Sequence, residues 1–224
     1  FEASIIGVSN GDKIFPFVPA KDYKKVGNGD KGPNTGGMGS AAPSPEFKDE
    51  HFQDFVNNIM NPTVQGLKTE GLSFKGFIFF GLMVTEKGAY LLEYNMRLGD
   101  PETQVLLPLL ENNLVDVIED CLQGKELELK FKNQKAVCLV VCSGGYPQNH
   151  ETGYEIKGAE KVKNSTLLYA GADYRGGKVV STGGRVLNLV ALGDTFEEAR
   201  KKVYEDANIV DFDYGFFRDD IAKF

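Results

Sequence analysis

At 224 residues, with 42% hydrophobic residues, a formal net charge of -7 and a pI near 5.0, the chain suits one large domain or two small ones, and its acidity disfavours bulk attraction to nucleic acid or anionic lipid. The longest uninterrupted apolar run, Ala136 to Cys142, falls far short of the roughly 20 residues a bilayer needs. Three cysteines, Cys121, Cys138 and Cys142, form no C-x-x-C and read as reduced core thiols of a cytoplasmic protein, while His51 and His150 stand too isolated for a zinc site or a Ser-His-Asp triad.

Phe1 to Val8 and Lys13 to Val18 flank Ser9-Asn10-Gly11-Asp12, and Asn-Gly between apolar runs predicts a hairpin. The opening residues carry neither an initiator Met nor a secretory signal, and they read as a chain entered mid-strand. From Pro19 to Pro45 no helical or strand period survives, which predicts a long loop. Lys21, Lys24 and Lys25 within it suit either a solvated surface or a phosphorylated small molecule. Further on, Gly36, Gly37 and Gly39 in Thr35-Gly36-Gly37-Met38-Gly39 let backbone N–H groups approach an anion with no Cβ in the way. The pattern is neither the P-loop nor the dinucleotide G-x-G-x-x-G.

Ser44-Pro45-Glu46 predicts a helix start with Ser44 as N-cap, and Phe47, Phe52, Phe55, Val56, Ile59 and Met60 follow at helical spacing. Pro62 predicts an interruption, with a second helix carrying Val64 and Leu67 up to Gly71. Gly76 to Thr85 and Ala89 to Asn95 then read as strands joined at Lys87-Gly88. Two residues apart on such a strand, Glu93 and Asn95 share a face with Cα atoms roughly 6.6 Å apart, a spacing at which two oxygen donors reach one Mg2+. A solvated sheet face is the plainer reading, but Arg97, Gly99-Asp100-Pro101 and Glu102 follow at once, and a surface strand has no need of them.

Pro101 to Leu110 reads as a helix start or tight turn, and Leu114 to Gly124 as an amphipathic helix with Leu114, Val117, Ile118 and Cys121 inward. A sub-domain boundary is predicted near Gly124 to Lys130. Short strands follow at Ala136 to Cys142, Thr166 to Ala170, Lys178 to Ser181 and Arg185 to Leu192. A closing helix is signalled by the capping box Thr195-Phe196-Glu197-Glu198, with Phe196, Ala199 and Val203 on one face.

An anion loop, an oxygen pair for Mg2+ and an arginine two residues beyond point to phosphoryl transfer from ATP. Four strings, GPNTGGMG (Gly32 to Gly39), LEYNMRLGDPETQ (Leu92 to Gln104), SGGYP (Ser143 to Pro147) and TGGRVL (Thr182 to Leu187), resemble the motifs of the glycinamide ribonucleotide synthetase family, in the family's order and across nearly the whole chain. The resemblance implies an α+β fold. Residues 1–126 would form the C-terminal half of an ATP-grasp domain, an antiparallel sheet with packed helices, and residues 127–224 a small β-rich C-terminal domain.

It also implies an ATP-dependent carboxylate–amine ligase of de novo purine biosynthesis, whose small-molecule substrates are glycine and 5-phosphoribosylamine and which needs neither nucleic acid nor a membrane. By this resemblance Glu93 and Asn95 would hold Mg2+, or Mn2+ in its place, on the ATP phosphates, and Arg97 would neutralise charge on the transferred phosphoryl group. The backbone of Gly36, Gly37 and Gly39 would meet the acyl phosphate, and Asn34, Thr35, Asp100 and Arg185 would contact substrate, Arg185 taking the ribose 5-phosphate. Gly99-Asp100-Pro101 also suits a plain tight turn, and Arg185 a plain surface strand. An upstream α/β domain and the lid with its ATP-binding lysines would be the missing N-terminal part of the same enzyme, so the fragment alone is expected to be inactive. Another ATP-grasp carboxylate–amine ligase and a non-catalytic nucleotide-binding module are the alternatives. The chain departs from the family pattern at Tyr23, commonly His there, and at Leu98, commonly Phe.

Overall fold

The computed structural model describes all residues, Phe1–Phe224, which fall into two compact units: Phe1–Lys21 with Ala42–Lys132, and Asp22–Ala41 with Asn133–Phe224. The chain opens with the antiparallel pair β1 (Glu2–Asn10) and β2 (Ile14–Pro16). Asn10 Oδ1 makes their turn by accepting from the N–H groups of Asp12 (3.0 Å) and Lys13 (2.8 Å), while Gly11 takes a φ of +98° that side chains resist.

The segment predicted as a loop holds four short strands instead, β3 (Lys21–Asp22), β4 (Lys25–Gly27), β5 (Lys31–Asn34) and β6 (Gly39–Ala42). They are too short to show a period, and β6 finds a partner about a hundred residues away.

Helix α1 (Asp49–Phe55) begins after Lys48, not after Ser44, whose C=O accepts the N–H of Phe47 in a turn. A π-helical turn, Val56–Met60, then leads straight into α2 (Asn61–Thr69). Pro62 therefore starts a new α segment without ending the helical path, because the π turn just before it takes up the register change where the proline lacks an N–H to donate.

Strands β7 (Lys75–Thr85) and β8 (Gly88–Asn95) complete an antiparallel sheet in the order β2-β1-β7-β8. One sheet face carries Ile5, Ile78, Phe80 and Leu82, which pack with Phe55, Ile59 and Met60 of the helices; the rings of Phe55 and Phe80 meet edge to face at 5.1 Å. Since successive side chains alternate, Ser4, Phe79, Glu93 and Asn95 belong to the opposite face. Two helices follow, α3 (Glu102–Leu106) and α4 (Leu114–Leu122), the latter capped by Asn113 Oδ1 on the Val115 N–H at 2.9 Å. Val117 and Cys121 of α4 are buried as predicted, but Ile118 is 37% exposed.

In the second unit β9 (Lys135–Cys142), β10 (Thr166–Tyr169), β11 (Ala172–Arg175), β12 (Lys178–Ser181) and β13 (Arg185–Gly193) come in succession. The main sheet runs β10-β13-β9-β6-β3, with β11–β12 and β4–β5 as separate hairpins. The apolar run of β9 is buried from Ala136 to Cys142, as a central strand requires. Helix α5 (Phe196–Ala207) packs on β9 and β13 through Ala199 and Val203, and Thr195 Oγ1 caps it on the Glu198 N–H at 3.2 Å. All three cysteines are free and buried, and no helix is long and apolar enough to cross a membrane.

Candidate active site

In the first unit the register of three strands sets the chemistry. Ser4 lies opposite Gly81, and Gly81 lies opposite Glu93, so the three form one row across β1, β7 and β8; Asn95 stands opposite Phe79 in the next row on that face. The row depends on Gly81, because a Cβ there would stand 2.9 Å from Cγ of Glu93. A bulge at Leu92, which has no partner on β7, sits immediately before Glu93 and sets the face it shares with Asn95.

At the Ser4 end, Glu102 is buried at 3% exposure and accepts from Ser4 Oγ at 2.8 Å, with its second oxygen against Gly99. Glu93 and Arg97 are exposed and Asn95 is half-buried; Arg97 Nη1 donates to its neighbour's carbonyl, Leu98 O, at 2.9 Å. Asp100 Oδ1 accepts from Gln104 Nε2 at 2.7 Å, an (i, i+4) bond across the start of α3 that gives it a structural task. A carboxylate and an amide oxygen on one strand face are hard donors, and they fit a hard divalent cation that completes its shell from water or phosphate oxygens.

The second unit joins three of the sequence strings at one loop. The N–H of Gly36 donates to Tyr146 Oη at 2.8 Å, and Arg185 Nη1 donates to Gly36 O at 2.6 Å. The guanidinium also lies over the Gly36 Cα, where a Cβ would stand 3.1–3.2 Å from its atoms. Gly37, at φ +116°, donates its N–H to Thr35 Oγ1 (2.9 Å), and Thr35 Oγ1 in turn donates to Lys24 O (2.8 Å). Two of the three glycines expected to offer N–H groups to an anion thus donate to protein hydroxyls. Gly39 lies within buried β6, where a Cβ would meet Cys138 O at 2.6 Å and Ile221 at 2.9 Å, so close strand packing requires that glycine. Asn34 is exposed at the end of β5, paired with Lys25.

Cys142, the register partner of Arg185, has its thiol pushed up to about 12 by burial, against the lowering effect of the Arg185 charge, so it is no nucleophile near neutral pH. The hairpin leading into the loop is held by the C-terminal segment. Arg218, 2% exposed, donates to both oxygens of Asp220 (2.7 and 2.8 Å), to Asp30 Oδ1 (2.9 Å) and to Lys25 O (2.9 Å), and it stacks on the Tyr23 ring at 5.3 Å. Tyr23 Oη accepts from the N–H of Ala222 at 3.0 Å, so the tyrosine that departs from the family pattern is a buried structural residue.

Residues 1–103 match the ATP-grasp (A) domain of phosphoribosylglycinamide synthetase, and residues 136–224 match the C domain of the same enzyme. The chain belongs to the phosphoribosylglycinamide synthetase family. Phosphoribosylamine–glycine ligase of Caldanaerobacter subterraneus is 44% identical over 99% of this chain and 54% of its own length, and that of Clostridium acetobutylicum is 45% identical over the same shares. The chain therefore spans about half the length of the curated relatives it matches. A crystal structure of phosphoribosylamine–glycine ligase from Thermotoga maritima, 37% identical, superposes with a TM-score of 0.88 over 99% of this chain and 55% of that one. The biotin carboxylase domain of a Hydrogenobacter thermophilus 2-oxoglutarate carboxylase, solved with MgADP, shares the fold at a TM-score of 0.66 and 12% identity. The α+β architecture expected of an ATP-grasp chain is thus present, with antiparallel sheets in both units.

Within that family fold, Glu93, Asn95 and Arg97 belong to the first unit, whereas Gly36, Gly37, Gly39, Thr35 and Arg185 belong to the second. Arg185 and the glycine loop, 149 residues apart in sequence, are in direct contact. Tyr146 and Ser4 had no role assigned from sequence. Tyr146 was visible only as part of the SGGYP string, and the Ser4–Glu102 bond spans 98 residues with no local pattern to announce it.

Proposed function

We propose that the chain forms the metal- and phosphate-handling part of a ligase that joins glycine to 5-phosphoribosylamine. A carboxylate oxygen of glycine takes the γ-phosphoryl group of ATP, ADP leaves, and the amine nitrogen of phosphoribosylamine attacks the acyl carbon of glycyl phosphate. The C–O bond to phosphate breaks as the C–N bond forms, giving glycinamide ribonucleotide and phosphate. In this reading residues 1–126 are the ATP-grasp part and residues 127–224 the synthetase C-terminal domain of a cytoplasmic enzyme, a placement that the free buried cysteines favour.

Glu93 and Asn95 would hold Mg2+ or Mn2+, which when bound neutralises charge on the ATP phosphates. Arg97, exposed two residues beyond, supplies a fixed positive charge where negative charge grows during transfer. In the second unit Arg185 and the largely exposed stretch from Asn34 to Gly36 form the surface for the phosphorylated amine; Asp100, in the first unit, is a separate candidate contact for substrate. The observation that carries the reading is the Ser4–Gly81–Glu93 row, with its buried Glu102 and adjacent Asn95 and Arg97, in a chain matched in both halves by one synthetase family. The test is to incubate the full-length polypeptide with glycine, Mg-ATP and freshly made phosphoribosylamine. Stoichiometric ADP and glycinamide ribonucleotide are expected; ADP with a different amide product would replace the acceptor, and no ADP would end the ligase reading.

A further inference from the structure

We propose that Tyr146 is a positioning residue for the substrate loop, gripping Gly36 from one side while Arg185 grips it from the other. The inference rests on the ligase reading for the identity of the substrate but not for the grip itself. Gly36 lies between two peptide units. The unit before it is held through its N–H by Tyr146 Oη, and the unit after it is held through its C=O by Arg185 and through its N–H by Thr35. Consecutive glycines lose more backbone freedom on ordering than any other residue pair, so a loop built on them keeps one shape only when its peptides are fastened individually.

Tyr146 is itself built to do this. Ser143 donates through its N–H to Gly184 O and through Oγ to Gly183 O, both at 2.8 Å, which ties the SGGYP string to the TGGR string that carries Arg185. The Tyr146 ring occupies the space a Cβ on Gly184 would need and meets the His150 ring edge-on at 6.1 Å. Gly184 is therefore accounted for by the approach of the tyrosine, and the tyrosine by its reach to Gly36. Its hydroxyl sets the orientation of the loop that, in the ligase reading, receives the phosphorylated sugar amine.

The experiment is Tyr146→Phe in the full-length polypeptide, which removes one oxygen and keeps the ring against Gly184. Expected are a KM for phosphoribosylamine raised about tenfold, little change in kcat or in the KM of ATP, an unchanged melting temperature, and faster hydrogen exchange at the Gly36 amide. Arg185→Lys, keeping the charge but losing the planar stack, is expected to speed exchange at the following peptide as well. An unchanged Gly36 amide overturns the proposal, as does an equal rise of all three KM values accompanied by a fall in melting temperature. If the unsubstituted protein makes no glycinamide ribonucleotide, the ligase reading fails alone. The exchange measurement then decides the grip, faster exchange upholding it and unchanged exchange overturning it.

Discussion

Glu93 owes its placement to a neighbour that lacks a side chain. With a Cβ on Gly81 at 2.9 Å from Cγ of Glu93, Gly81→Ala is expected to push the carboxylate off its row and lower activity, while the apolar face of β7 keeps the fold. Glu93→Gln removes the anionic oxygen without changing shape; it is expected to abolish most activity and to weaken Mg-ATP binding more than binding of free ATP, and unchanged Mg2+ dependence would sink the assignment. Arg185→Ala is expected to raise the KM for phosphoribosylamine above any effect on glycine or ATP, because in the ligase reading Arg185 pairs with the ribose 5-phosphate that only that substrate carries. Asp206 makes a prediction about stability. Its buried carboxylate accepts from the N–H groups of Asn164 (2.8 Å) and Ser165 (2.7 Å) and from Ser165 Oγ (2.8 Å). Burial alone would raise its pKa, but these donors hold it below the usual carboxylate range. Near pH 4 the unfolded chain then binds more protons than the folded one. The stabilisation is therefore complete above the unfolded pKa of about 3.9 and is lost as pH falls through the lower folded value. Asp206→Ala is expected to cost about 3 kcal/mol near neutral pH and to flatten that acid limb, read by denaturant titration at several pH values.

Among the elements, the hairpin β4–β5 depends on the far end of the chain. Asp220 accepts from the Gly29 N–H at 2.7 Å and from Arg218, and although burial acts to raise it, these partners hold its carboxyl below the ordinary range. Removing the buried guanidinium shared between Asp30 and Asp220 unmakes its hydrogen bonds but leaves carboxylates that water reaches, so Arg218→Ala is expected to cost about 1–3 kcal/mol. Deleting residues 218–224 should open β4–β5 to hydrogen exchange while β9 and β13 stay protected; equal loss in all four strands would show that the segment supports the whole unit instead. The helical region teaches a different lesson. Pro62 was a correct mark of discontinuity, yet the chain absorbs it with one π turn and keeps Phe55, Ile59 and Met60 on the same core, since apolar burial of several side chains outweighs one lost hydrogen bond.

For the molecule as a whole, the 224 residues span about half of relatives that carry the full ligase name, and they are expected not to catalyse the complete reaction alone. In the ligase reading, one wall of a nucleotide site would bind Mg2+ and phosphate weakly without orienting glycine for attack. Turnover at about 1 to 100 per second by the isolated chain, measured as glycinamide ribonucleotide formed, would overturn that expectation. Local signals, by themselves, were enough to determine the hairpin at Asn10-Gly11, the Lys87-Gly88 turn, the apolar strand of β9, the cap at Thr195 and the shared face of Glu93 and Asn95, because each depends on residues within a few positions of one another. The four family strings were likewise legible as strings. What only the tertiary structure decided was contact between residues distant in sequence. It placed β6 of the expected loop before Pro45 in a sheet by pairing it with β9, placed a serine from β1 on Glu102, and gave the N–H groups of Gly36 and Gly37 to hydroxyls. It also brought Arg185 onto a glycine 149 residues away. Such contacts leave no period in the sequence, because strand register and backbone hydrogen bonds are satisfied by whichever segment arrives, and only the folded chain fixes which one does.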